Sequence, residues 1–351
     1  MTSQGATQPL FIVGAPRSGT TLLQTLVDAY SPIAIPPESH VFPRFSHLFD
    51  CYGVLRDPSN LRLLVGDLLS DEKIRVWGLQ VSLEEFCSGL TAPTVRDVIA
   101  RLYSLYARKE GKPRWGDKTT VHVLYLQEIR ALFPEAQFIH LVRDGRDVAE
   151  SLHRIAIGKK SAWANAHRWT RYLQAAETFQ RQVPPGVYLE VRYESLVRRP
   201  DEELRRLFAF LGVDAAAAGR TVPETRLKQH YLQRAPHHQL LDAPISDQKI
   251  GIFRTGLTPR DVEVFEMVAG ETLRRYGYEL VTDGAARLTW RDRLRFFFQD
   301  TFLRSQRKVG SLALFRQLRR EVKESLQLRL RTFLRSRRRP RTSISQQRKQ
   351  R

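Results

Sequence analysis

Residues 9–21, Pro-Leu-Phe-Ile-Val-Gly-Ala-Pro-Arg-Ser-Gly-Thr-Thr, carry a short apolar run straight into a loop bounded by Gly14 and Gly19. That loop opens an amphipathic helix through Leu22, Leu23, Leu26 and Val27. A strand, a glycine-bounded turn and a helix start in this order make a cradle for phosphate, because backbone N–H groups converge there and the helix N-terminus carries partial positive charge. The two glycines have the spacing of the nucleotide-binding loop G-x-x-x-x-G-K-[ST], but Thr20 stands in the lysine position and the cation has moved back to Arg17. Phosphoryl-transfer loops need that lysine on the β and γ phosphates and a hydroxyl on magnesium. Here a guanidinium lies inside the loop, and Thr20 and Thr21 are expected to cap the helix.

Working outward, apolar runs at 10–14, 137–142 and 187–191 read as strands, and amphipathic patterns at 95–109, 121–132 and 163–182 read as helices. Pro200-Asp-Glu-Glu203 marks a helix start before Leu204, Leu207, Phe208 and Leu211, and Gly212 its end. This alternation predicts an α/β fold, a P-loop-type parallel sheet flanked by helices with its ligand loops at the carboxyl ends of the strands. Residues 46–90 show helical pieces and no strand, and are expected to form an inserted lid or substrate-side segment.

The chain has 351 residues, 42% of them hydrophobic, enough for one large core or two ordinary ones. No run approaches the ~20 apolar residues that span a bilayer, and the start has no basic region followed by an apolar one, so no anchor or signal peptide is expected. Cys51 and Cys87 lack ligand spacing and are expected to be small buried side chains in a reducing, cytoplasmic setting. The net charge of +20 is unevenly placed: residues 285–351 hold 21 Lys and Arg against four Asp and Glu, leaving residues 1–284 at +3. The chain therefore divides into a nearly neutral domain, 1–284, and a basic extension, 285–351. In the extension Leu314, Leu318, Val322, Leu326, Leu330 and Leu334 recur among arginines as a basic amphipathic helix, before a polar, disordered tail at 335–351.

A second charged cluster follows the strand at 137–142: Arg143-Asp-Gly-Arg-Asp147, leading into a helix where Ser151 and Arg154 are exposed candidates. Two readings stand on these residues alone. An arginine at a strand's carboxyl end can meet a ligand, giving a second anion site beside the first loop, or the Arg-Asp turn can pair with itself.

Three ordered motifs together resemble the sulfotransferases: Gly14-Ala-Pro-Arg-Ser-Gly-Thr-Thr21; Leu141-Val-Arg-Asp-Gly-Arg-Asp-Val148 with Ser151; and Tyr193-Glu-Ser-Leu-Val-Arg-Arg-Pro200 leading into Leu-Phe-Ala-Phe-Leu-Gly212. The resemblance covers about residues 8–280 and is nearest in motif to the tyrosylprotein type. It implies 3′-phosphoadenosine 5′-phosphosulfate as donor, no metal, and an acceptor hydroxyl. By it Arg17, Ser18, Gly19, Thr20 and Thr21 would hold the 5′-phosphosulfate, Arg143 and Ser151 the 3′-phosphate, and Tyr193 would lie near the adenosine. Lys249-Ile-Gly-Ile-Phe-Arg254 looks like the family's closing loop, which adds Gly251 and Arg254. Glu38, 21 residues after Arg17 in Ile35-Pro-Pro-Glu-Ser-His40, matches the glutamate base of the tyrosylprotein type, and the Pro-Pro step is expected to aim it. Lys118 resembles the lysine that contacts the transferred group, with Arg17 assisting. His122 is the rival base, placed four residues after Lys118 where cytosolic members place it two after. Leu22 and Phe253 depart from the aromatics that stack on adenine in those members.

Two other classes compete. A P-loop small-molecule kinase would need a loop lysine, with Asp144 as a metal-binding aspartate. A non-enzymatic polyanion or membrane binder would work through the extension, whose Trp290, Phe296, Phe297, Phe298, Phe302 and Phe315 among arginines suit an anionic membrane surface better than any specific nucleic acid. The acceptor and the oligomeric state are not written in these residues.

Overall fold

The computed structural model describes residues 8–154, 161–213, 246–283 and 286–309, with side chains through 300. Five strands, β1 (Leu10–Gly14), β2 (Ile33–Ala34), β3 (Arg114–Lys118), β4 (Gln137–Val142) and β5 (Tyr188–Arg192), form one sheet in the order β2-β3-β1-β4-β5. Every pairing is parallel, and β1 lies at the centre with Leu10 opposite Gly116 on one side and Gln137 on the other. Parallel neighbours need crossovers, which here are helical. Among the helices are α1 (Thr20–Tyr30), α2 (Pro58–Ser70), α3 (Val95–Lys109), α4 (Gly145–Arg154), α5 (Ala162–Gln180), α6 (Tyr193–Arg198), α7 (Pro200–Leu211), α8 (Pro259–Arg275) and α9 (Trp290–Val309).

Strand alternation divides the core between the two faces of the sheet. Phe11, Val13, Phe138 and Val142 face the larger cluster, built with α2, α3, α5 and α8. Leu10, Ile12, Ile139 and Leu141 face the smaller one, where α1 contributes Leu23, Leu26 and Val27 and α7 contributes Leu207, Phe208 and Leu211. Each such side chain, removed from water, contributes about 1.5–3 kcal/mol before entropy is counted.

The predicted strands and helices are present, with the strand expected at 187–191 beginning one residue later. Two strands escaped the sequence reading: β2 is two residues long, and β3 is Arg-Trp-Gly-Asp-Lys, whose Asp117 and Lys118 are buried. A strand carrying two buried charges has no apolar signature, and such rule-breaking belongs to functional positions. The helix expected at 121–132 begins as a 3₁₀ turn, Thr120–Tyr125, before α-helix Leu126–Leu132; the tighter winding brings Thr120, His122 and Val123 inward. Residues 46–90 are helical throughout their ordered elements, and Leu61, Leu64, Val65, Leu68, Trp77 and Phe86 pack into the larger core. The cysteines are not both buried as expected: Cys51 is exposed and Cys87 half-buried. The leucine repeat at 314–334 and the tail at 335–351 lie outside the described residues.

Candidate functional site

All five strands deliver a residue of interest at or just beyond their carboxyl ends, where ligands collect in open parallel sheets: Arg17 after β1, Glu38 after β2, Lys118 in β3, Arg143 after β4 and Tyr193 after β5. The loop after β1 depends on two glycines. A side chain at Gly14 would stand 2.5 Å from the Leu141 carbonyl of β4, and Gly19 is left-handed (φ 97°) with the Tyr193 ring against the space a Cβ would need. Arg17 is also left-handed (φ 73°), which costs a non-glycine residue of order 1 kcal/mol. Thr20 and Thr21 do not cap α1 as expected; they are its first helical residues, the cap position is Gly19, and no side chain bonds back to the helix start. The first turn's N–H groups thus keep their bonding capacity for an anion. Ser18 Oγ is fully buried with no hydrogen-bond partner among the described residues, so the loop fits a phosphate-like group.

The next part of the site joins β2 to β3. Lys118 Nζ donates to Glu38 Oε1 at 2.6 Å and lies 3.4 Å from Thr21 Oγ1, so one buried ammonium touches both the carboxylate and the loop. His40 Nε2 lies 3.1 Å from the other carboxylate oxygen. Partial burial acts to raise the Glu38 carboxyl, but the Lys118 and His40 contacts outweigh it and hold the group well below the usual carboxylate range. The Pro-Pro segment is fixed by side chains as well as by its rings: Gln24 Nε2 donates to the carbonyls of Ile35 and Pro36, and Trp77 Nε1 to that of Pro37.

His122 is not at this site. It is fully buried, edge-on to Phe42, with Nδ1 2.8 Å from Asp117 Oδ1. The other Asp117 oxygen accepts from Ser39 Oγ (2.8 Å), Tyr103 Oη (2.6 Å) and Thr119 Oγ1 (3.2 Å). Ser39 follows Glu38 and Thr119 follows Lys118, so this buried network clamps together the two backbones that present the ion pair. Sequence reasoning gave Asp117, Ser39 and Tyr103 no role; only the polar break in β3 hinted at one.

The self-paired reading of Arg143-Asp-Gly-Arg-Asp147 holds for Asp144 and Arg146 but not for Arg143. Arg146 pairs with Asp144 (2.7 Å) and Glu266 and lies over the Phe253 ring, so Asp144 and Arg146 form a self-paired turn and Asp144 is already committed to a guanidinium. Arg143 instead crosses to the first loop: it donates to the Arg17 carbonyl at 3.1 Å and to that of Lys249, and stacks 4.4 Å from the centre of the Tyr193 ring. Its Nε is buried with no hydrogen-bond partner among the described residues. Arg17 Nε reaches Ser151 Oγ at 3.1 Å, so the residues expected at the two phosphates are contiguous. Arg154 is turned outward and pairs with Glu150. Phe253 is buried beneath Arg146, Gly251 sits in the loop, and Arg254 is exposed over the Phe253 ring. Residues 155–160 and 214–245, which border this half of the site in sequence, lie outside the described residues.

Asp147 ties this second half together. Its carboxylate accepts the backbone N–H groups of Gly251 (2.8 Å) and Phe253 (3.0 Å) and lies 3.9 Å from Arg143. Burial pushes its carboxyl up to about 6, despite the opposing help of those donors. Because the folded value exceeds the unfolded one, ionising Asp147 costs stability: its contribution is fully present below about pH 4 and declines as pH rises to about 6. Melting temperatures of wild type and Asp147→Asn, measured across this range, should therefore shift relative to each other in the variant's favour as pH rises, and run parallel above it. Parallel curves throughout would show that Asp147 keeps an ordinary carboxyl.

Comparison with known proteins places this geometry. A sequence model of the Sulfotransferase family matches residues 9–217, more than half the chain. The chain is 28% identical over 293 residues to nodulation protein NoeE of Sinorhizobium fredii, covering 77% of this chain and 65% of that one. It is 25% identical over 244 residues to a putative protein-tyrosine sulfotransferase of Caenorhabditis briggsae (68% and 72%), and 26% identical over 209 residues to that of Drosophila melanogaster, where it spans 38% of the relative's length. Among solved structures, a sulfotransferase domain from the curacin biosynthetic pathway superposes with a TM-score of 0.53 at 22% identity, covering 78% of this chain and 98% of that one, which bears on the fold alone. The phosphate-type loop, the Arg143 crossing and the matched span agree: the chain belongs to the sulfotransferase family.

Proposed function

We propose that residues 1–284 transfer a sulfuryl group from 3′-phosphoadenosine 5′-phosphosulfate to a hydroxyl-bearing acceptor, without a metal. The single observation that carries this reading is the buried Lys118 ammonium shared between Glu38 and Thr21 at the mouth of an uncapped phosphate-type loop. When bound, the nucleotide supplies the electrophilic sulfuryl group and a phosphate leaving group. Arg17, Ser18, Gly19, Thr20 and Thr21 orient its 5′ side, while Arg143 and Ser151 select its 3′-phosphate. Tyr193 backs the Arg143 guanidinium and would lie near the adenosine, and Gly251 and Arg254, at the loop that Asp147 holds, would contact the same nucleotide. Glu38 takes the acceptor's proton. Competition for the Lys118 ammonium from negative charge beside Thr21 leaves Glu38 the stronger base, so the ion pair keeps the carboxylate weak until charge is present. Lys118 and Arg17 then stabilise negative charge at the transfer point. The match of Glu38 to the tyrosylprotein type favours a peptide hydroxyl as acceptor.

The kinase reading loses support from Asp144, which is bound by Arg146, and from Thr20 in the lysine position. The protein is assayed with radiolabelled 3′-phosphoadenosine 5′-phosphosulfate in EDTA and, separately, with ATP and magnesium, against a panel of hydroxyl-bearing peptides, glycans and phenols. Label transfer in EDTA is expected; transfer from ATP alone would contradict the proposal. For the extension at 285–351 the partner proposed is an anionic membrane surface on the cytoplasmic side, with no specific nucleic acid. No helix among the described residues is long and apolar enough to cross a membrane.

A further inference from the structure

Helix α9 is anchored to the domain by one face and presents another outward. On the inner face Asp292 accepts from Arg260 (2.7 Å) and from Thr289, Arg295 donates to Asp261 (2.7 Å), and Asp300 accepts from the Ser161 backbone (3.0 Å) and hydroxyl (2.8 Å). Phe296 is buried between these pairs. On the outer face Trp290 is 69% exposed, Leu294 48%, Phe297 60% and Phe298 47%. Their spacing of four, seven and eight residues from Trp290 places all four on one stripe of the helix, and Arg291 and Arg293, both exposed, fall on its two edges.

Most monomeric proteins do not hold three large aromatics on one outward stripe, and such a patch marks an interaction surface. Its composition selects the partner. An aromatic stripe edged by arginines, within a segment of net charge +17 over 285–351, is complementary to a surface that is apolar a few ångströms down and anionic on top. A second copy of this chain would bring the same positive charge to the contact and repel it. Resting on the partner proposed above for the extension, we infer that Trp290, Leu294, Phe297 and Phe298 insert into an anionic bilayer with α9 lying in its plane. The inner-face ion pairs then make the domain a rigid load on that helix, so the insertion fixes one side of the domain against the membrane.

Flotation of the full chain with vesicles tests this. The wild type should float with phosphatidylcholine–phosphatidylserine vesicles and not with phosphatidylcholine alone. The triple variant Trp290→Ser, Phe297→Ser, Phe298→Ser should lose about tenfold or more in bound fraction, while its circular dichroism and its turnover of a soluble acceptor stay at wild-type values. Equal flotation of variant and wild type would overturn the insertion while leaving the basic tail as the binding element. No flotation of the wild type would overturn the membrane partner itself. Concentration-dependent dimerisation in sedimentation, abolished in the variant, would assign the stripe to a second copy and also overturn it. None of these outcomes bears on sulfuryl transfer in solution.

Discussion

Glu38→Gln should lower kcat by about 10²–10⁴-fold, the usual share of a positioned general base, and leave the donor KM no higher than wild type. The substitution keeps the shape and removes the proton acceptor. It also releases Lys118, whose ammonium is held at 2.6 Å by the carboxylate, so the cation facing the loop is strengthened rather than lost. His122, the rival base, is buried against Phe42 and engaged by Asp117, so it is not placed to take over. The pH dependence follows from the same contacts. Glu38 is held below the ordinary carboxylate range, so the ion pair's contribution to folding is present above the unfolded value near 4.5 and is lost only as pH falls through the lowered one. Steady-state kinetics with saturating donor measures the effect; a variant within about threefold of wild type would place the base elsewhere.

Arg143→Ala should act on the other constant. We expect a rise in donor KM of about 30-fold or more, with kcat at saturation nearly unchanged, since truncating a buried, hydrogen-bonded charge at a binding site costs about 2–5 kcal/mol. Arg143 is almost fully buried, forks to two carbonyls and lies over the Tyr193 ring, contacts that suit a planar guanidinium. Arg143→Lys should accordingly recover little, because a compact ammonium can neither fork nor stack in the same way. A variant that lowered kcat alone, with KM intact, would move Arg143 from donor selection to the chemical step.

The loop after β1 and its glycines were legible because they lie in a short run whose residue types are tied to backbone geometry, an apolar strand and then a turn that glycine allows, whereas Glu38 and Lys118 were reached only through the family resemblance. Strand β3 was not legible, since its buried Asp117 and Lys118 erase the apolar pattern on which strand reading depends. The roles of Asp117 and Asp147 were hidden for a different reason. Asp117 joins Ser39 and Tyr103, 78 and 14 residues away, and Asp147 holds backbone groups 104 and 106 residues on, and no local spacing encodes such contacts. The expected helix caps at Thr20 and Thr21 failed because residues that usually terminate helices stand here inside one, and the uncapped start is what suits an anion.

The proposed donor carries two separate phosphate groups, and a single site is proposed to read both. Calorimetric titration of the wild type with adenosine 3′,5′-bisphosphate and with adenosine 5′-phosphate tests it most directly. Tighter binding of the bisphosphate by about 30-fold or more is predicted, with the difference collapsing in Arg143→Ala. Equal affinity of the wild type for the two nucleotides would contradict the account.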